Sequence, residues 1–200
     1  MNNHLNDAYV QLAQKIGYRS RAAFKLIEIL RLEKLIFPGN YVVDLGASPG
    51  SWSQVIQKRL TDTDGILNGR IIALDLLPMI PIPGVEFIQG DFRDVAILQR
   101  LEQTLENRRI DVVVSDMVPN LSGVKCADSV RIQHVCELAM EFALTHIKYD
   151  GALLIKAFHG SYFSQIVKSA KLSFKKVIEH KPKASRSESS EVFLVARSLK

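Results

Sequence analysis

Lys156 is the residue whose surroundings most clearly suggest chemistry. It stands in an apolar segment, residues 153–158, that is typical of a strand buried on both faces. An unpaired ammonium in such a place costs several kcal/mol, so it must find an acidic partner or lose its proton. A lysine held in this way is a candidate for orienting a polar group of a substrate and for taking its proton.

Acids that could partner Lys156 stand at the ends of other predicted strands. Because the carboxyl ends of parallel strands meet at one edge of an open α/β sheet, where ligands bind, side chains at these positions converge. The last strand begins at the same edge if it runs antiparallel. One acid alone would be explained as a cap of the next turn, but like charges crowded at one edge repel each other. The sequence therefore predicts a site built from Lys156 and five acids, Asp44, Asp75, Asp91, Asp116 and Glu191.

The loop after the first predicted strand, DLGASPGSW, indicates the class of ligand. Gly46 and Gly50 allow a sharp turn and a close approach of the backbone to a ligand. The loop lacks the G-x-G-x-x-G pattern of dinucleotide-binding folds, and Pro49 removes a backbone donor that a phosphate would use. The loop therefore favours a ligand without a pyrophosphate and argues against a nicotinamide-dependent dehydrogenase.

Three residues on the next two strands extend this ligand site. Asp75 can accept hydrogen bonds from both hydroxyls of a ribose. Asp91, in QGDF, can accept from the amino group of an adenine, and Phe92 would flank the base. The order D-x-G, then D, then D resembles that of S-adenosylmethionine-dependent methyltransferases.

The elements that must position these residues alternate along the chain. Seven apolar segments predict strands, and five segments with helical spacing predict helices, the first with an N-cap at Ser20 and an end before Pro38. Such alternation predicts a mostly parallel sheet with helices on both faces. The last two strands have no helix between them and should pair antiparallel. The predicted fold is a single-domain, Rossmann-like α/β sheet with strands at 41–46, 70–76, 85–91, 110–116, 151–158, 174–180 and 191–197, and helices at 20–37, 51–60, 94–105, 129–147 and 161–172.

Composition limits the class of protein. Two hundred residues with 47% hydrophobic content fit one globular domain, which we place at residues 18–200 after a polar lead segment at 1–17. The chain shows neither a signal peptide nor an apolar run of membrane-spanning length, so we expect a cytoplasmic protein without membrane contact. Cys126 and Cys136 form no CxxC motif and the histidines show no ligand spacing, so we expect no metal. A single domain with one basic flank is expected to be a monomer.

The positive charge is concentrated in one stretch. Residues 165–186 carry seven bases and one acid, a net charge of +6 against +5 for the whole chain. A smaller basic group near the start comprises Lys15, Arg19, Arg21 and Lys25. Clustered bases suggest a polyanion such as nucleic acid, although a solvated lysine-rich surface gives the same pattern.

The motifs together resemble one protein family. DLGASPGSWSQV, IIALDLLPM, FIQGDFRD, SDMVPNLSG, LLIKAF and SSEVFLVA look like the FtsJ family of RNA 2′-O-ribose methyltransferases, from about Tyr18 to the C-terminus. The likeness is greatest to bacterial members that methylate a uridine ribose of large-subunit (23S) ribosomal RNA, which implies this substrate in the assembled 50S particle. It implies a catalytic tetrad of Lys25, Asp116, Lys156 and Glu191. The resulting prediction for S-adenosylmethionine contacts is Asp44, Gly46, Gly50, Trp52, Asp75, Asp91, Phe92 and Asp116.

The implied chemistry is an in-line transfer of a methyl group from a sulfonium to a ribose hydroxyl. The hydroxyl is a poor nucleophile, so it must be positioned and helped to lose its proton. We assign that task to Lys156, with Asp116 positioning the hydroxyl and also facing the cofactor. Lys25 and Glu191 would shape the local field. Burial and a second lysine favour the neutral amine at Lys156, whereas the carboxylates favour the ammonium.

Plainer interpretations exist for several of these residues. Lys25 could pair with Glu28 on the surface of its helix, Glu191 could be a surface charge at a strand start, and Trp52 could belong to the core. His159 is expected to be structural or to contact RNA. For the whole chain, the alternatives are a methyltransferase acting on transfer RNA or an mRNA cap, and a non-catalytic RNA-binding module on the same fold.

Overall fold

Seven strands form one mixed sheet in the computed structural model, which describes residues 7–120, 122–186 and 188–200. The strand order is β3-β2-β1-β4-β5-β7-β6. Strands β1 to β5 pair parallel, and β7 runs antiparallel to both β5 and β6, as predicted. The strands are β1 Tyr41–Leu45, β2 Arg70–Asp75, β3 Val85–Gln89, β4 Ile110–Ser115, β5 Ile147–Phe158, β6 Phe174–His180 and β7 Glu191–Leu199.

Helices cover both faces of the sheet, because the strands bury apolar side chains on both sides. One core cluster contains residues of α2 and α3 together with Val42, Leu154 and Phe193. The other cluster contains residues of α4, α5 and α6. The helices of the described residues are α1 Ala8–Ile16, α2 Ala22–Glu33, α3 Ser51–Leu60, α4 Val95–Thr104, α5 Lys125–His146 and α6 Phe163–Ser173.

The structure differs from the sequence prediction at the N-terminus. Part of the segment that we predicted as a polar lead forms α1, whose first turn is capped by the Asp7 carboxylate accepting from the Tyr9 N–H at 3.0 Å. The helix that follows begins at Ala22, and the Ser20 hydroxyl accepts from the Ala22 N–H at 3.2 Å, as an N-terminal cap would. This helix ends at Glu33, earlier than predicted, because the next residue takes a left-handed conformation.

Strand β5 carries Lys156 to the carboxyl edge of the parallel strands, where the predicted site lies. Seven consecutive residues, 151–157, are buried, and Lys156 itself is 8% exposed. Its neighbour across the sheet is Phe193 on β7, and Glu191 lies opposite Phe158. Because β7 is antiparallel, it begins at the edge where β5 ends, and it therefore brings Glu191 to the same edge of the sheet as Lys156 and Asp116.

Candidate active site

An open cleft of about 660 Å³ lies at the carboxyl ends of β1 to β4. The loops after these strands form its walls, and residues of α5 close one side. Among the predicted cofactor residues, five line the cleft: Gly46, Asp75, Asp91, Phe92 and Asp116. The remaining lining residues include Ser48, Met117, Asn120, Arg131 and His134. The topology thus gathers the predicted residues from four separate strands into one concave surface.

Asp75 is fixed by backbone donors from two loops. Its Oδ2 atom accepts from the Ser48 N–H at 2.8 Å, and its Oδ1 atom accepts from the Leu77 N–H at 2.8 Å. Each carboxylate oxygen keeps a further lone pair for a ligand in the cleft. A carboxylate with fixed orientation and free acceptor capacity suits the paired hydroxyls of a ribose.

Asp91 is held by Arg93. The Arg93 Nη2 atom donates to Asp91 Oδ2 at 2.6 Å, and its Nε atom donates to Oδ1 at 3.0 Å. The side-chain hydrogen bond of Arg93 and its backbone N–H lower the pKa of Asp91, so this carboxyl is ionised at neutral pH. Phe92 lies beside it, largely buried against Phe142 with a ring-centroid distance of 5.6 Å. The pair offers an acceptor next to an apolar surface, as a heterocyclic amine would require.

Gly46 allows the first loop to approach the exit of β4. A Cβ atom at this position would lie 2.7 Å from Met117 Cγ and 2.8 Å from the Met117 Cα atom, and the φ angle is +77°. Backbone atoms cannot move aside as a side chain can, so a glycine is required. This close contact brings the loop next to Asp116, which lines the cleft and also contacts Lys156.

Gly50 and Trp52 do not line the cleft. The Trp52 side chain is 2% exposed, its Nε1 atom donates to the Ala22 carbonyl at 2.9 Å, and its ring lies 5.9 Å from that of Phe193. The Trp52 side chain therefore belongs to the core. A contact of Trp52 with a ligand in the cleft would have to come from its backbone. Gly50 has a φ angle of +107° and packs against Arg19, Met79 and Ile82.

Asp44 lies behind the loop and does not line the cleft. It is 0% exposed, and its Oδ2 atom accepts from the Ser53 hydroxyl at 2.6 Å. Its Oδ1 atom has no hydrogen-bond partner among the described residues. Burial, and then the charges of Asp116 and Asp75, raise the pKa of Asp44 to about 7 against the opposing hydrogen bond from Ser53.

The four predicted catalytic residues form two adjacent ion pairs. Lys156 Nζ lies 2.5 Å from Asp116 Oδ1 and 3.0 Å from the Asp116 carbonyl oxygen. Lys25 Nζ lies 2.5 Å from Glu191 Oε1. Both pairs are largely shielded from water, because the four side chains are between 7% and 19% exposed. Lys156 is therefore paired with Asp116. Because Asp116 also lines the cleft, it connects Lys156 to the cleft.

Glu191 is supported by residues that the sequence prediction missed. The Ser185 hydroxyl donates to Glu191 Oε1 at 2.7 Å, and Lys181 Nζ donates to the Glu191 carbonyl oxygen at 2.7 Å. Burial alone would raise the pKa of Glu191, but hydrogen bonds from Lys25 and Ser185 and the charges of Lys25 and Lys156 together lower it. The polar loop KPKASRSESS before Glu191 was the available signal, because it places Ser185 and Lys181 close to it in the chain.

The surface interpretations of Lys25 and Glu191 are wrong. Lys25 pairs with Glu191, whereas Glu28 accepts from the Lys183 N–H at 2.9 Å. Glu191 is 7% exposed, which excludes a solvated charge at a strand start. His159 is half exposed, lies 2.9 Å from Glu179 and packs its ring against Phe163.

The basic stretch is divided by the fold. Strand β6 starts at the edge opposite the cleft, so Lys175 and Lys176 lie far from the tetrad, and Lys175 packs on Tyr149. The residues after β6 lie at the catalytic edge, but Lys181 donates to backbone oxygens there. Only the bases after β6 therefore lie at the edge of the sheet that holds the tetrad, and none of the bases of this stretch lines the cleft. In the described part of the chain, no group of three or more His, Cys, Asp or Glu side chains is arranged to hold a metal ion.

Comparison with known proteins identifies the family. The model of the FtsJ-like methyltransferase family matches residues 18–199. The chain belongs to the FtsJ-like methyltransferase family. This assignment agrees with the resemblance that the motifs showed, and it establishes the chain as a methyltransferase.

Similar proteins share this family and its fold. The chain is 64% identical over 200 residues to a ribosomal RNA large subunit methyltransferase E of Bordetella petrii, covering 100% of this chain and 95% of that protein. It is 56% identical over 207 aligned residues to the protein of the same name from Burkholderia ambifaria, covering 94% of that protein. A crystal structure described as a ribosomal RNA methyltransferase from Plasmodium falciparum superposes with a TM-score of 0.80 at 30% identity, covering 91% of this chain and 98% of the other.

None of the helices in the described residues combines the length and the apolar composition that crossing a bilayer requires.

Proposed function

We propose that this chain transfers a methyl group from S-adenosylmethionine to the 2′-hydroxyl of a uridine ribose in large-subunit ribosomal RNA, in the assembled 50S particle. One observation carries the proposal: Asp116 lines the cleft and at the same time binds the ammonium of Lys156 at 2.5 Å. A donor bound in the cleft and a hydroxyl held by Lys156 would therefore meet at Asp116. The names of the similar Bordetella and Burkholderia proteins support the choice of RNA.

The residues of the cleft fit S-adenosylmethionine. Asp75 offers free acceptor positions for a ribose, and Asp91 and Phe92 form an acceptor and an apolar surface for an adenine. Gly46 provides the close backbone approach that a bound ligand needs. When bound, the cofactor would supply an electrophilic methyl group on a positively charged sulfur.

Lys156 is the residue that we assign to the hydroxyl. Its amine lies at the end of a rigid, buried strand, and two oxygens of Asp116 fix its direction. In the free chain this ion pair keeps Lys156 as a donor that can orient a ribose oxygen. To act as a base, Lys156 must enter the reaction as a neutral amine and accept the proton of the hydroxyl. Asp116 then stabilises the ammonium that forms.

Lys25 and Glu191 act on Lys156 through charge. Their ion pair is buried beside the first one, and the Glu191 carboxylate also receives a hydrogen bond from Ser185. We propose that Lys25 and Glu191 keep the surroundings of Lys156 electrically neutral and low in dielectric. In such surroundings, fixed dipoles and charges act more strongly than in water.

The proposed function is tested by mapping the methylated nucleotide. The purified chain is incubated with methyl-labelled S-adenosylmethionine and with 50S particles, free 23S RNA, transfer RNA or capped mRNA taken from cells that lack this activity. We expect label in 50S particles, on the 2′-oxygen of a uridine. Label on a base would contradict the ribose chemistry, label only in transfer RNA or cap would contradict the substrate, and no label in any RNA would contradict the activity.

Variants of Lys156 test its role. Lys156→Ala and Lys156→Arg should each lower kcat by roughly 10²–10⁴-fold, the usual contribution of a general base, while the affinity for S-adenosylhomocysteine changes by only a few fold. The arginine variant keeps the positive charge next to Asp116 but cannot become neutral, so its loss would separate proton transfer from charge pairing. Near-normal turnover in either variant would show that Lys156 is not the base.

A further inference from the structure

Arg19 joins two loops that form one side of the cleft. Its Nη1 atom donates to the Pro49 carbonyl oxygen at 2.8 Å and to that of Ile80 at 2.6 Å. Its Nη2 atom donates to the carbonyl oxygen of Pro81 at 3.1 Å. One guanidinium thus holds the glycine loop after β1 and the loop after β2 together.

Arg19 is itself fixed from behind by α3. The Arg19 N–H donates to Gln54 Oε1 at 2.9 Å, and Gln54 Nε2 donates to the carbonyl oxygen of Gly17 at 3.0 Å. The Gln54 amide therefore holds the backbone on both sides of Tyr18. Because both ends of the arginine are bound, its side chain is fixed between α3 and the two loops.

The two loops that Arg19 joins carry Gly46, Ser48, Leu76 and Leu77, which line the cleft next to Asp75. Ser48 belongs to the first loop, and it donates its N–H to Asp75 and its hydroxyl to the Pro78 carbonyl oxygen at 3.2 Å. The first loop also packs closely on Arg19 at Gly50, because a Cβ atom there would lie 2.6 Å from Arg19 Nη1 and 2.8 Å from Met79 Sδ. A displacement of either loop would therefore remove a backbone donor, the Ser48 N–H or the Leu77 N–H, that orients the Asp75 carboxylate.

We propose that Arg19 is a positioning residue for the cofactor, holding the loops after β1 and β2 at the spacing that the cofactor requires. The proposal rests on the proposed function, which names the ligand of the cleft. The guanidinium suits this task, because its planar fork carries donors on separate nitrogen atoms in fixed directions, whereas all donors of a lysine share one nitrogen atom and rotate about it. From the sequence, Arg19 belonged to a basic group expected to meet a polyanion. In the structure, its donors face the backbone of the protein.

The test compares cofactor binding with RNA binding in charge-matched variants. Arg19→Lys keeps the charge and loses the fork, and Gln54→Ala loosens Arg19 without changing any charge. The control is Arg31→Lys, at an exposed arginine of α2. Affinity for S-adenosylhomocysteine is measured by calorimetry on the free protein, and RNA affinity is measured at several salt concentrations. Thermal unfolding checks that each variant is folded.

We expect S-adenosylhomocysteine to bind about tenfold more weakly to Arg19→Lys and several-fold more weakly to Gln54→Ala, with no change in the control. RNA affinity and its salt dependence should stay within twofold of the wild type. The proposal would be overturned if cofactor affinity were unchanged in both variants. A loss of RNA affinity alone in Arg19→Lys would show a phosphate contact instead.

The design separates this proposal from the proposed function. If the wild type bound no S-adenosylhomocysteine, the proposed function would fail and the role of Arg19 with it. If the wild type bound it and methylated RNA while both variants bound it equally well, only the role of Arg19 would fail. Should Arg19→Lys not fold, Gln54→Ala decides the question, because it removes a neutral side chain.

Discussion

Replacing Asp44 by asparagine should stabilise the folded chain at neutral and alkaline pH. Asp44 is fully buried on β1, with one oxygen bound to Ser53 and the other without a partner among the described residues. Burial and the charges of Asp116 and Asp75 raise its pKa to about 7 in the folded state. The folded chain therefore holds a proton on this carboxyl that the unfolded chain releases near pH 4.

The sign of the pH dependence follows from this difference. Below about pH 4 the carboxyl is protonated in both states and contributes no pH dependence. Between pH 4 and 7 only the folded state keeps the proton, so the free energy of unfolding falls as the pH rises, and above pH 7 the full penalty applies. The folded pKa lies about 3 above the ordinary value of 3.8, which corresponds to at most about 4 kcal/mol at 1.4 kcal/mol for each pH unit.

Asparagine removes this penalty but introduces a smaller one. Its amide oxygen can still accept from the Ser53 hydroxyl, whereas its NH₂ group occupies a place that offers no acceptor, at a cost of about 1–3 kcal/mol. We therefore expect Asp44→Asn to gain about 1–3 kcal/mol at pH 8, and to lose about 1–3 kcal/mol at pH 4, where the acid is already neutral and only the cost of the amide remains. For a chain of this length, each kcal/mol raises Tm by about 2–4 °C.

Unfolding by heat and by urea at pH 4.5, 6, 7 and 8 measures this effect. The matched control is Asp150→Asn, at an exposed position of β5, which should change stability equally at all four values. A difference between Asp44→Asn and the wild type that did not grow with pH would refute the reasoning. Destabilisation at pH 8 would refute it as well, since it would mean that the ionised carboxylate is the favoured form in the folded chain.

Two further predictions compare a buried side chain with an exposed one of the same type, first for two serines and then for two cysteines. Ser185→Ala should lower kcat by about tenfold, because Glu191 loses one of the donors that fix it, and the affinity for S-adenosylhomocysteine should not change. The control Ser161→Ala, at an exposed site, should have no effect on kcat or on this affinity. Of the two free cysteines, Cys126 is exposed and Cys136 is buried with its pKa raised to about 12 by burial first and by Glu137 second. A thiol reagent should therefore modify one thiol in the native chain and two after denaturation, and rapid modification of both in native buffer would contradict the burial of Cys136.

The sheet could be predicted because each strand is either a short apolar run or an alternating one. Strand β6 was predicted with the bounds that the structure has, Phe174–His180. Helix α1 could not be predicted in this way. Ala13 is its one buried residue, so the helix contributes little to the core, and it depends instead on a cap at Asp7 and on contacts of Tyr9 with Phe24.

The positions of the tetrad residues on strands β4, β5 and β7 could be predicted, because the topology of the sheet brings these strand ends together. Asp116 and Lys156 lie at the ends of neighbouring parallel strands, so their contact follows from the strand order. The residues that support this site could not be predicted from the sequence. Arg19 and Lys181 donate to backbone carbonyl oxygens, and every residue has a carbonyl oxygen, so such contacts leave no pattern in the sequence. Trp52 shows the converse, because its position after a glycine turn suggested a ligand whereas its side chain lies in the core.

The balance of charge at this edge favours a cationic ligand. The tetrad is neutral as a whole, because each lysine is paired with one carboxylate. In the cleft, Asp91 is neutralised by Arg93, but both oxygens of Asp75 are bound by backbone N–H groups and carry no paired cation among the described residues. Asp75 therefore leaves a net negative potential where the donor would bind. A sulfonium would be attracted by it, and the neutral thioether left after methyl transfer would not, so the same carboxylate that favours binding of the donor would also favour release of the product.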